Sequence, residues 1–499
     1  MTTPFRQLLP LLLCASLLPA LPSHAQTGPI VVTQYADGGV YEGTMKAGRP
    51  HGRGSYTLPT GYRYEGDWVE GLQKGQGIAT FVNGAVYEGA FDNGLPTGEG
   101  QMTMFDGTVL VGAWKDGKLN GEGIANFADG SVYQGNFADN VANGQGTLTR
   151  PDGYIYEGDW KDGKRHGQAK ITYADGGIYE GEMALDQRNG QGSLTMPEGF
   201  AYSGSWIADQ IGGFGTVTYV NGDIYEGVLV EGRRNGTGKM TYANGDVYEG
   251  EFQDDAITGR GIFASASGYI YEGDWIDGHH SGQGTLTYPD GTIHSGSFAN
   301  DLPNGEGEAV YPNGDRYEGN WVDGIMQGDG KSTRANGMVY EGGFADGQHH
   351  GEGVLTSPDG YRYSGGWANG LRDGRGEADF ADGSRYVGGF LRDQFHGQGE
   401  VIIPDSFRYS GEWQNGQIHG LGRAEYSNGD VYEGSFVEGR RDGEGVLTYA
   451  NGTVVKGLWR NDNLLEEALP SAADGEETSP PQEIPDTPEE PSRDATEDN

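Results

Sequence analysis

The chain has 499 residues, a formal charge of −40 at pH 7 and 92 glycines. Such an acidic surface repels phosphate backbones and anionic lipid, which argues against nucleic acid as a partner and against long-range attraction to anionic membranes. This much glycine would indicate disorder in a chain without a period. Here the sequence repeats, so the glycines are expected at turns and close backbone contacts.

Residues 1–25 are predicted to be an export signal. Arg6 is their single charge, residues 8–21 are mostly apolar, and residues 23–25 offer a small-x-small cleavage site. A retained N-terminal anchor is the alternative, although the apolar run is short for a membrane span. The single cysteine, Cys14, lies inside this segment, so the mature chain would contain none, which fits an oxidising compartment. We therefore expect an exported protein of a bacterial envelope, periplasmic or secreted.

A motif reading Tyr-Glu-Gly-x-Trp/Phe recurs every 23 residues from residue 41 to residue 457. Nineteen motif starts keep this register without an inserted or deleted residue, giving eighteen whole repeats and part of another. Positions within a repeat are numbered places 1 to 23, with the motif tyrosine at place 1. A period this regular predicts a solenoid that grows by adding units. The predicted parts are a half repeat at 26–40, the repeat solenoid at 41–461 and a tail at 462–499.

Each repeat is predicted to form a β-hairpin. In the repeat at 156–178, the aromatic residues at places 1 and 5 alternate with acidic ones, which is the period of a half-buried strand. Asp162 and Gly163 then turn the chain, and a second strand is expected over about residues 167–173. Place 8 is Gly, Asn or Asp in all nineteen motifs, the residue types that best tolerate a left-handed backbone. The predicted fold is all-β: an elongated, single-layer antiparallel β-hairpin solenoid.

Glycines at places 3, 12 and 14 are expected to share a face with the aromatic residues at places 1 and 5. Bare backbone would let a ring lie flat across the strand, which would offset the cost of glycine there. All nine tryptophans fall at place 5, where Trp alternates with Phe, Met or Leu except at Leu229 and Phe252, which suggests an underlying unit of 46 residues. The predicted structural aromatic ladder comprises Tyr64, Trp68, Tyr156, Trp160, Tyr202, Trp206, Tyr271, Trp275, Tyr363, Trp367, Tyr409 and Trp413.

The tail at 462–499 is predicted to be disordered. It holds thirteen acidic residues against Arg493 alone and is rich in proline, so it lacks the apolar residues of a core. At its start, Asn463 and Glu466 match a capping box, which predicts a short helix over residues 464–469 covering the last sheet edge.

The motif Tyr-Glu-Gly-x-Trp-x-x-Gly-x-x-x-Gly-x-Gly on a 23-residue period resembles the MORN repeat (membrane occupation and recognition nexus). The match extends over most of the chain. The resemblance implies an extended β-hairpin solenoid with a role in scaffolding, dimerisation or localisation at membranes. The departures, Leu110, His294 and Val455 in place of Tyr and Ala169 in place of Gly, are interpreted as weaker repeats and not as sites.

No catalytic, cofactor or metal site is expected, and we predict that the chain is not an enzyme. Histidines recur at place 11 and as the pairs His279-His280 and His349-His350. Equivalent places lie roughly 10 Å apart in successive repeats, too far to share one ion, so we interpret these histidines as exposed turn residues. Glycines at places 12 and 14 lack the strand-to-helix context of a nucleotide-binding loop. The glutamates at place 2 are interpreted as the solvated face of a half-buried sheet.

Three functions remain open. The leading one is a non-catalytic scaffold that presents a repetitive face to a protein partner or to a second copy of itself. Membrane association is disfavoured, because basic clusters such as Lys161, Lys164 and Arg165 are short and surrounded by acids. The other alternative is a glycan- or cell-wall-binding solenoid, in which exposed rings stack on sugars. Its candidate residues lie two places before a Trp-containing motif and, on a simpler interpretation, merely extend the ladder: Tyr62, Tyr154, Phe200, Tyr269, Tyr361 and Phe407.

Overall fold

The computed structural model describes residues 28–467, and over that range it contains strands and turns but no helix. These residues accordingly include no helix long and apolar enough to cross a membrane. The predicted export signal at 1–25 lies outside the described residues, as does the predicted tail beyond residue 467. The strands, β1 to β39 in chain order, are Val31–Gln34, Val40–Lys46, Arg49–Thr57, Arg63–Val69, Leu72–Thr80, Val86–Asp92, Leu95–Thr103, Val109–Lys115, Lys118–Asn126, Val132–Ala138, Val141–Thr149, Ile155–Lys161, Lys164–Thr172, Ile178–Ala184, Gln187–Thr195, Ala201–Ile207, Gln210–Thr218, Ile224–Val230, Arg233–Thr241, Val247–Gln253, Ala256–Ala264, Ile270–Ile276, His279–Thr287, Ile293–Ala299, Leu302–Val310, Arg316–Val322, Ile325–Thr333, Val339–Ala345, Gln348–Thr356, Arg362–Ala368, Leu371–Asp379, Arg385–Leu391, Gln394–Ile403, Phe407–Gln414, Gln417–Tyr426, Val431–Val437, Arg440–Thr448, Val454–Arg460 and Asn463–Glu467.

The described residues divide into two compact units, one formed by the residues up to Asp290 with Phe298–Asp301 and the other by Gly291–Ser297 with the residues from Leu302 onwards. In the first unit, β1 to β23 pair in sequence order, each antiparallel to the next. In the second, β25 to β39 do the same. The prediction of an all-β meander of hairpins is confirmed.

The two turns of each repeat have different backbones. Places 7 and 8 both have positive φ in all nineteen motifs, 50° at Asp162 and 78° at Gly163 for example, as a type I′ hairpin turn requires. The second turn needs one left-handed residue, which is the glycine at place 21, with φ 89° at Gly176. In the repeat where Ser406 replaces that glycine, Asp405 has the positive φ instead, at 56°. The predicted turn chemistry is confirmed.

Glycines at places 3 and 14 make room for the tyrosine of their own hairpin. Gly66 and Gly77 face each other across β4 and β5, and Tyr64 lies over both. A Cβ on Gly77 would lie 2.5 Å from the hydroxyl oxygen of Tyr64, and one on Gly66 would lie 2.5 Å from the Cα of Gly77. The predicted contact of ring and bare backbone is therefore confirmed at these two places.

Glycine is needed at place 12 for a different reason, and the prediction that this place shares the aromatic face is wrong. Gly75 has φ 116°, and a Cβ there would lie 2.7 Å from the Asp67 side chain on the polar face. The strand register shifts between Gly66 and Trp68, so place 12 lies at a β-bulge. All eighteen place-12 glycines have positive φ, a conformation that L-residues with a side chain rarely adopt.

Each tryptophan at place 5 joins its repeat to the preceding one. Trp206 Nε1 donates to the carbonyl oxygen of Gly192, the place-14 glycine of the previous repeat, at 3.1 Å. All nine tryptophans make the equivalent bond, at 3.0 to 3.4 Å. Phe, Met and Leu at place 5 have no donor, so the Trp alternation gives every second junction an additional hydrogen bond over much of the chain.

Trp206→Phe is expected to weaken this junction by about 1–2 kcal/mol, because it removes one hydrogen bond and part of a buried ring. Phe fills place 5 in other repeats, so the fold should remain. Hydrogen exchange of peptides covering Gln187–Thr195 and Ala201–Ile207 should become faster. Unchanged exchange there would show that the indole bond does not stabilise the junction.

The last described residues form a strand and not a helix. Asn463–Glu467 is β39, which pairs antiparallel with β38 after a turn in which Asp462 has φ 70°. The predicted helix over 464–469 is therefore wrong at its described residues, because the chain adds one more strand to the meander. The same strand places residues 463–467, which were assigned to the disordered tail, in the sheet.

Candidate interaction surfaces

The residues of the predicted aromatic ladder lie on one face and pack against each other. Eleven of the twelve are buried and Trp160 is half-buried. Tyr64 meets Trp68 of its own repeat at 5.5 Å and Phe91 of the next at 4.9 Å, both edge to face. The Tyr64 hydroxyl donates to the carbonyl oxygen of Asp67 at 2.9 Å. Rings and hydroxyls are thus engaged inside the sheet.

The six candidate ligand-face aromatics lie on the same face, beside the ladder. Tyr154 is 8% exposed, and its hydroxyl accepts a 2.6 Å hydrogen bond from Arg165. Tyr361 is half-buried, accepts the equivalent bond from Arg372 and packs 5.5 Å from Phe380. Tyr62, Phe200, Tyr269 and Phe407 are also half-buried. Five of the six rings pack against an aromatic ring at place 18 of the next repeat, with centroids 5.5 to 6.1 Å apart, which favours the simpler interpretation that these rings extend the ladder.

In five repeats, an arginine at place 10 forms a salt bridge with an aspartate at place 8 of the following repeat. Arg165 Nε lies 3.3 Å from Asp186 Oδ1, which also accepts the Arg165 backbone N–H at 2.9 Å. The arginine side chains are only 20–24% exposed. Arg165 belongs to the basic cluster weighed for lipid binding, so this cation is already paired within the protein. The pairs are Arg165–Asp186, Arg188–Asp209, Arg234–Asp255, Arg372–Asp393 and Arg441–Asp462.

Two histidines at place 10 pack over tyrosines, which corrects their interpretation as exposed turn residues. His280 is 6% exposed and stacks 3.7 Å from Tyr271, and His349 stacks 3.6 Å from Tyr340. Because of the β-bulge at place 12, the side chain at place 10 lies on the aromatic face, which the sequence pattern did not reveal. His279 is exposed and lies 2.6 Å from Asp301. Among residues 28–467, no three His, Cys, Asp or Glu side chains cluster as metal ligands would.

His294 takes the place of the motif tyrosine and is buried, 2% exposed and 4.8 Å edge to face with Trp321. Burial lowers the pKa of His294 from 6.5 to about 4. The His294 imidazole is therefore protonated below about pH 6.5 in the unfolded chain but only below about pH 4 in the folded chain. The stability contributed by neutral His294 is complete above pH 6.5 and is lost as the pH falls through this window.

His294→Tyr is expected to make the second unit more acid-resistant, since it restores the motif residue and removes this titration. The advantage over the wild type should grow by about 2–3 kcal/mol between pH 7 and pH 4.5. Thermal unfolding of both proteins at the two pH values measures this difference, and the other acidic groups cancel in the comparison. Equal destabilisation of both by acid would contradict it.

A groove of about 1440 Å³ lies on the opposite, polar face of the first unit. Its floor is the bare backbone at places 3 and 14, from Gly112 on β8 to Gly204 on β16. Nine strands at roughly 4.8 Å spacing give it a length on the order of 40 Å. Its polar walls come from places 2, 4, 13 and 15: Glu122, Gln134, Asn136, Gln145, Thr147, Glu157, Gln168, Lys170, Glu180, Glu182, Gln191, Ser193 and Ser203.

The walls of this polar groove carry four carboxylates and one cation. Lys170 Nζ lies 3.2 Å from Glu180 Oε1, so the cation is already paired. Glu182 accepts the backbone N–H of Gln191 at 3.3 Å. The side chains of Asn136, Gln145, Gln191 and Ser193 already donate hydrogen bonds within the sheet. The other polar groups of the walls can bind an extended polar or cationic chain along the row. Sequence reasoning assigned place 2 to the solvated face but missed the groove.

The MORN-repeat family model matches the chain in eighteen consecutive segments between residues 41 and 454. The matched segments are 41–61, 64–86, 87–109, 111–132, 133–153, 156–178, 179–199, 202–224, 225–247, 248–268, 271–293, 294–316, 317–339, 340–360, 363–385, 386–406, 409–431 and 432–454. A search of curated proteins finds no significant match.

Solved structures give only weak similarity. The TCP domain of Drosophila melanogaster SAS-4 in complex with a proline-rich motif of Ana2 is 16% identical over 34% of this chain and 86% of that one, with a TM-score of 0.21. The TCP10 domain of Danio rerio CPAP in complex with a STIL peptide is 14% identical over 54% and 94%, with a TM-score of 0.14. Virginiamycin B lyase from Staphylococcus aureus is 10% identical over 65% and 97%, with a TM-score of 0.11. Scores this low support no transfer of function.

Proposed function

The chain belongs to the MORN-repeat family, and on that basis we propose that it is a non-catalytic scaffold whose polar groove holds a protein partner. Repeats of this family suggest a role in protein or membrane interaction. This proposal rests on the difference between the two faces of the sheet. The side chains of the aromatic face pack against each other within and between repeats, whereas the polar face has a long, open groove with a floor of glycine backbone.

The same contacts weigh against the two alternatives. Sugar stacking needs open ring faces, but the six candidate rings are buried or half-buried, and Tyr154 and Tyr361 have arginine-bonded hydroxyls. Attraction to anionic lipid needs several unopposed cations, but Arg165, Arg234 and Arg441 are paired with aspartates. A protein segment that crosses the strands can instead use backbone and side-chain hydrogen bonds to the polar walls.

We place this scaffold in the bacterial envelope, outside the inner membrane, because residues 1–25 have the pattern of a cleaved export signal. Mass spectrometry of the N-terminus tests that part. A mature chain beginning at Gln26 supports export, and an intact chain retained in the cytosol contradicts it.

The partner class is tested by sedimentation of the purified mature chain with its own cell-envelope fragments. The fragments are used before and after protease treatment, and protein-free anionic liposomes are run at low and moderate salt. The scaffold proposal predicts binding that protease abolishes and no binding to liposomes. Binding that survives protease would contradict it and favour a glycan, or lipid if the liposomes also bind.

A further inference from the structure

The eighteen repeats can be compared with one another at the junction where place 10 of one repeat lies beside place 8 of the next. In seven repeats the backbone N–H at place 10 donates to an Asp or Asn side chain at place 8 of the next repeat. In three more, place 10 is proline and has no N–H. In the remaining eight, His349 among them, the following place 8 is glycine and offers no acceptor.

His280 and His349 form a matched pair at this junction. Each stacks on its motif tyrosine, at 3.7 and 3.6 Å. His280 Nδ1 lies 3.4 Å from the hydroxyl of Tyr269, and its backbone N–H donates to Asp301 Oδ1 at 2.7 Å. The residues equivalent to Tyr269 and Asp301 beside His349 are Met338 and Gly370. The His349 junction therefore lacks one hydroxyl and one carboxylate.

The missing groups leave a cavity of about 350 Å³ on the aromatic face of the second unit. A Cβ built on Gly370 meets nothing within 4 Å, so the space of the missing carboxylate is open. Ser332 also lines the cavity. It is the only serine at place 16, where the other seventeen repeats have Ala, Val, Leu, Ile, Met, Phe or Tyr. Met338, Leu355 and Trp367 form an apolar wall.

The charge of the cavity favours an anion, although the whole protein is acidic. Arg334 lines it and is exposed. It forms no salt bridge among residues 28–467, and the Asp315 carboxylate, which interacts with its charge, lies outside the lining. The other cation, Arg372, is compensated by Asp393 at 2.9 Å. The lining thus has one cation in excess. Burial, and then the charge of Arg334, lower the pKa of His349 to about 4, so its imidazole is neutral at pH 7.

We propose that this cavity binds a small monocarboxylate with an apolar body. The carboxylate takes the position that Asp301 occupies at the matched junction, accepts the backbone N–H of His349 and faces Arg334. The apolar body lies against Met338 and Trp367. A free small molecule and the C-terminal residue of a polypeptide share this chemistry. The site shares no residue with the polar groove and does not depend on the scaffold proposal.

Isothermal titration of the mature chain with benzoate and with neutral benzamide tests the site. Benzoate is expected to bind at one site, at least tenfold more tightly than benzamide. A peptide ending in phenylalanine, with a free or an amidated C-terminus, distinguishes the sources. Tighter binding of the free-acid peptide than of benzoate identifies a polypeptide end, and the reverse identifies a small molecule. If neither carboxylate binds saturably, or if benzoate binds no better than benzamide, the proposal is wrong.

Two variants and one control variant locate the binding. Gly370→Asp supplies the carboxylate internally at a place where six other repeats carry aspartate, so it should fold and lose benzoate binding at least tenfold. Gly416→Asp makes the same change at the same place of another repeat, where a Cβ also meets nothing within 4 Å, and should bind normally. Arg334→Ser, which copies place 18 of two other repeats, should also weaken binding. Unchanged binding in both Gly370→Asp and Arg334→Ser would overturn the assignment.

Discussion

Gly238→Val is expected to destabilise the hairpin of Tyr225 by about 3 kcal/mol or more, although it only adds apolar atoms. A Cβ on Gly238 would lie 2.5 Å from both the ring and the hydroxyl oxygen of Tyr225. Tyr225 is 0% exposed, so its ring cannot move aside without breaking its contacts with Phe252 and its hydrogen bond to Val228. The backbone cannot yield either, because both strands are paired on both sides.

The neighbouring Thr237 provides the matched control. It lies on the same strand, is exposed on the opposite face, and Thr237→Val introduces the same side chain. Stability in a repeat array depends on neighbouring units, so the damage from Gly238→Val should be local. Hydrogen exchange should increase in Ile224–Val230 and Arg233–Thr241 but not in Val86–Asp92, and Thr237→Val should leave all three unchanged. Normal protection in Gly238→Val would refute the packing role of place 14.

The sequence predicted the parts of the fold that repeat. Tyr156 and Trp160 at a spacing of four, with turn residues at Asp162-Gly163, are local signals, and eighteen copies remove the ambiguity of a single hairpin. The pattern could not reveal the bulge at place 12, because glycine there and glycine at place 14 look alike in sequence. Their difference lies in φ, which is 116° at Gly75, and in which face a side chain would occupy.

The candidate surfaces were less accessible to sequence reasoning. The polar groove is lined by residues of nine strands, and no single repeat carries a sequence signal for it. The salt bridge between Arg165 and Asp186, by contrast, has a signal in the sequence that was overlooked. Every arginine at place 10 is followed 21 residues later by aspartate, and no arginine at that place is followed by glycine. Comparing repeats with each other would also have singled out His349, whose equivalents of Tyr269 and Asp301 are absent.

The charge of the polar groove is the second feature with a large expected effect. Glu157 and Glu180 are exposed and line the groove at place 2. Converting both to lysine changes its charge by four units without touching the aromatic ladder. A partner chosen by electrostatic complementarity should then bind at least about tenfold more weakly. Glu318 and Glu341 are exposed at the same place in the second unit and do not line the groove.

The most direct test is therefore to compare three mature chains for sedimentation with untreated envelope fragments: the wild type, Glu157→Lys/Glu180→Lys and Glu318→Lys/Glu341→Lys. The two variants have the same net charge, so non-specific attraction affects them equally. The scaffold account predicts that the groove variant loses at least about tenfold in affinity while the control binds like the wild type. Equal binding by the two variants would contradict the claim that the polar groove holds the partner.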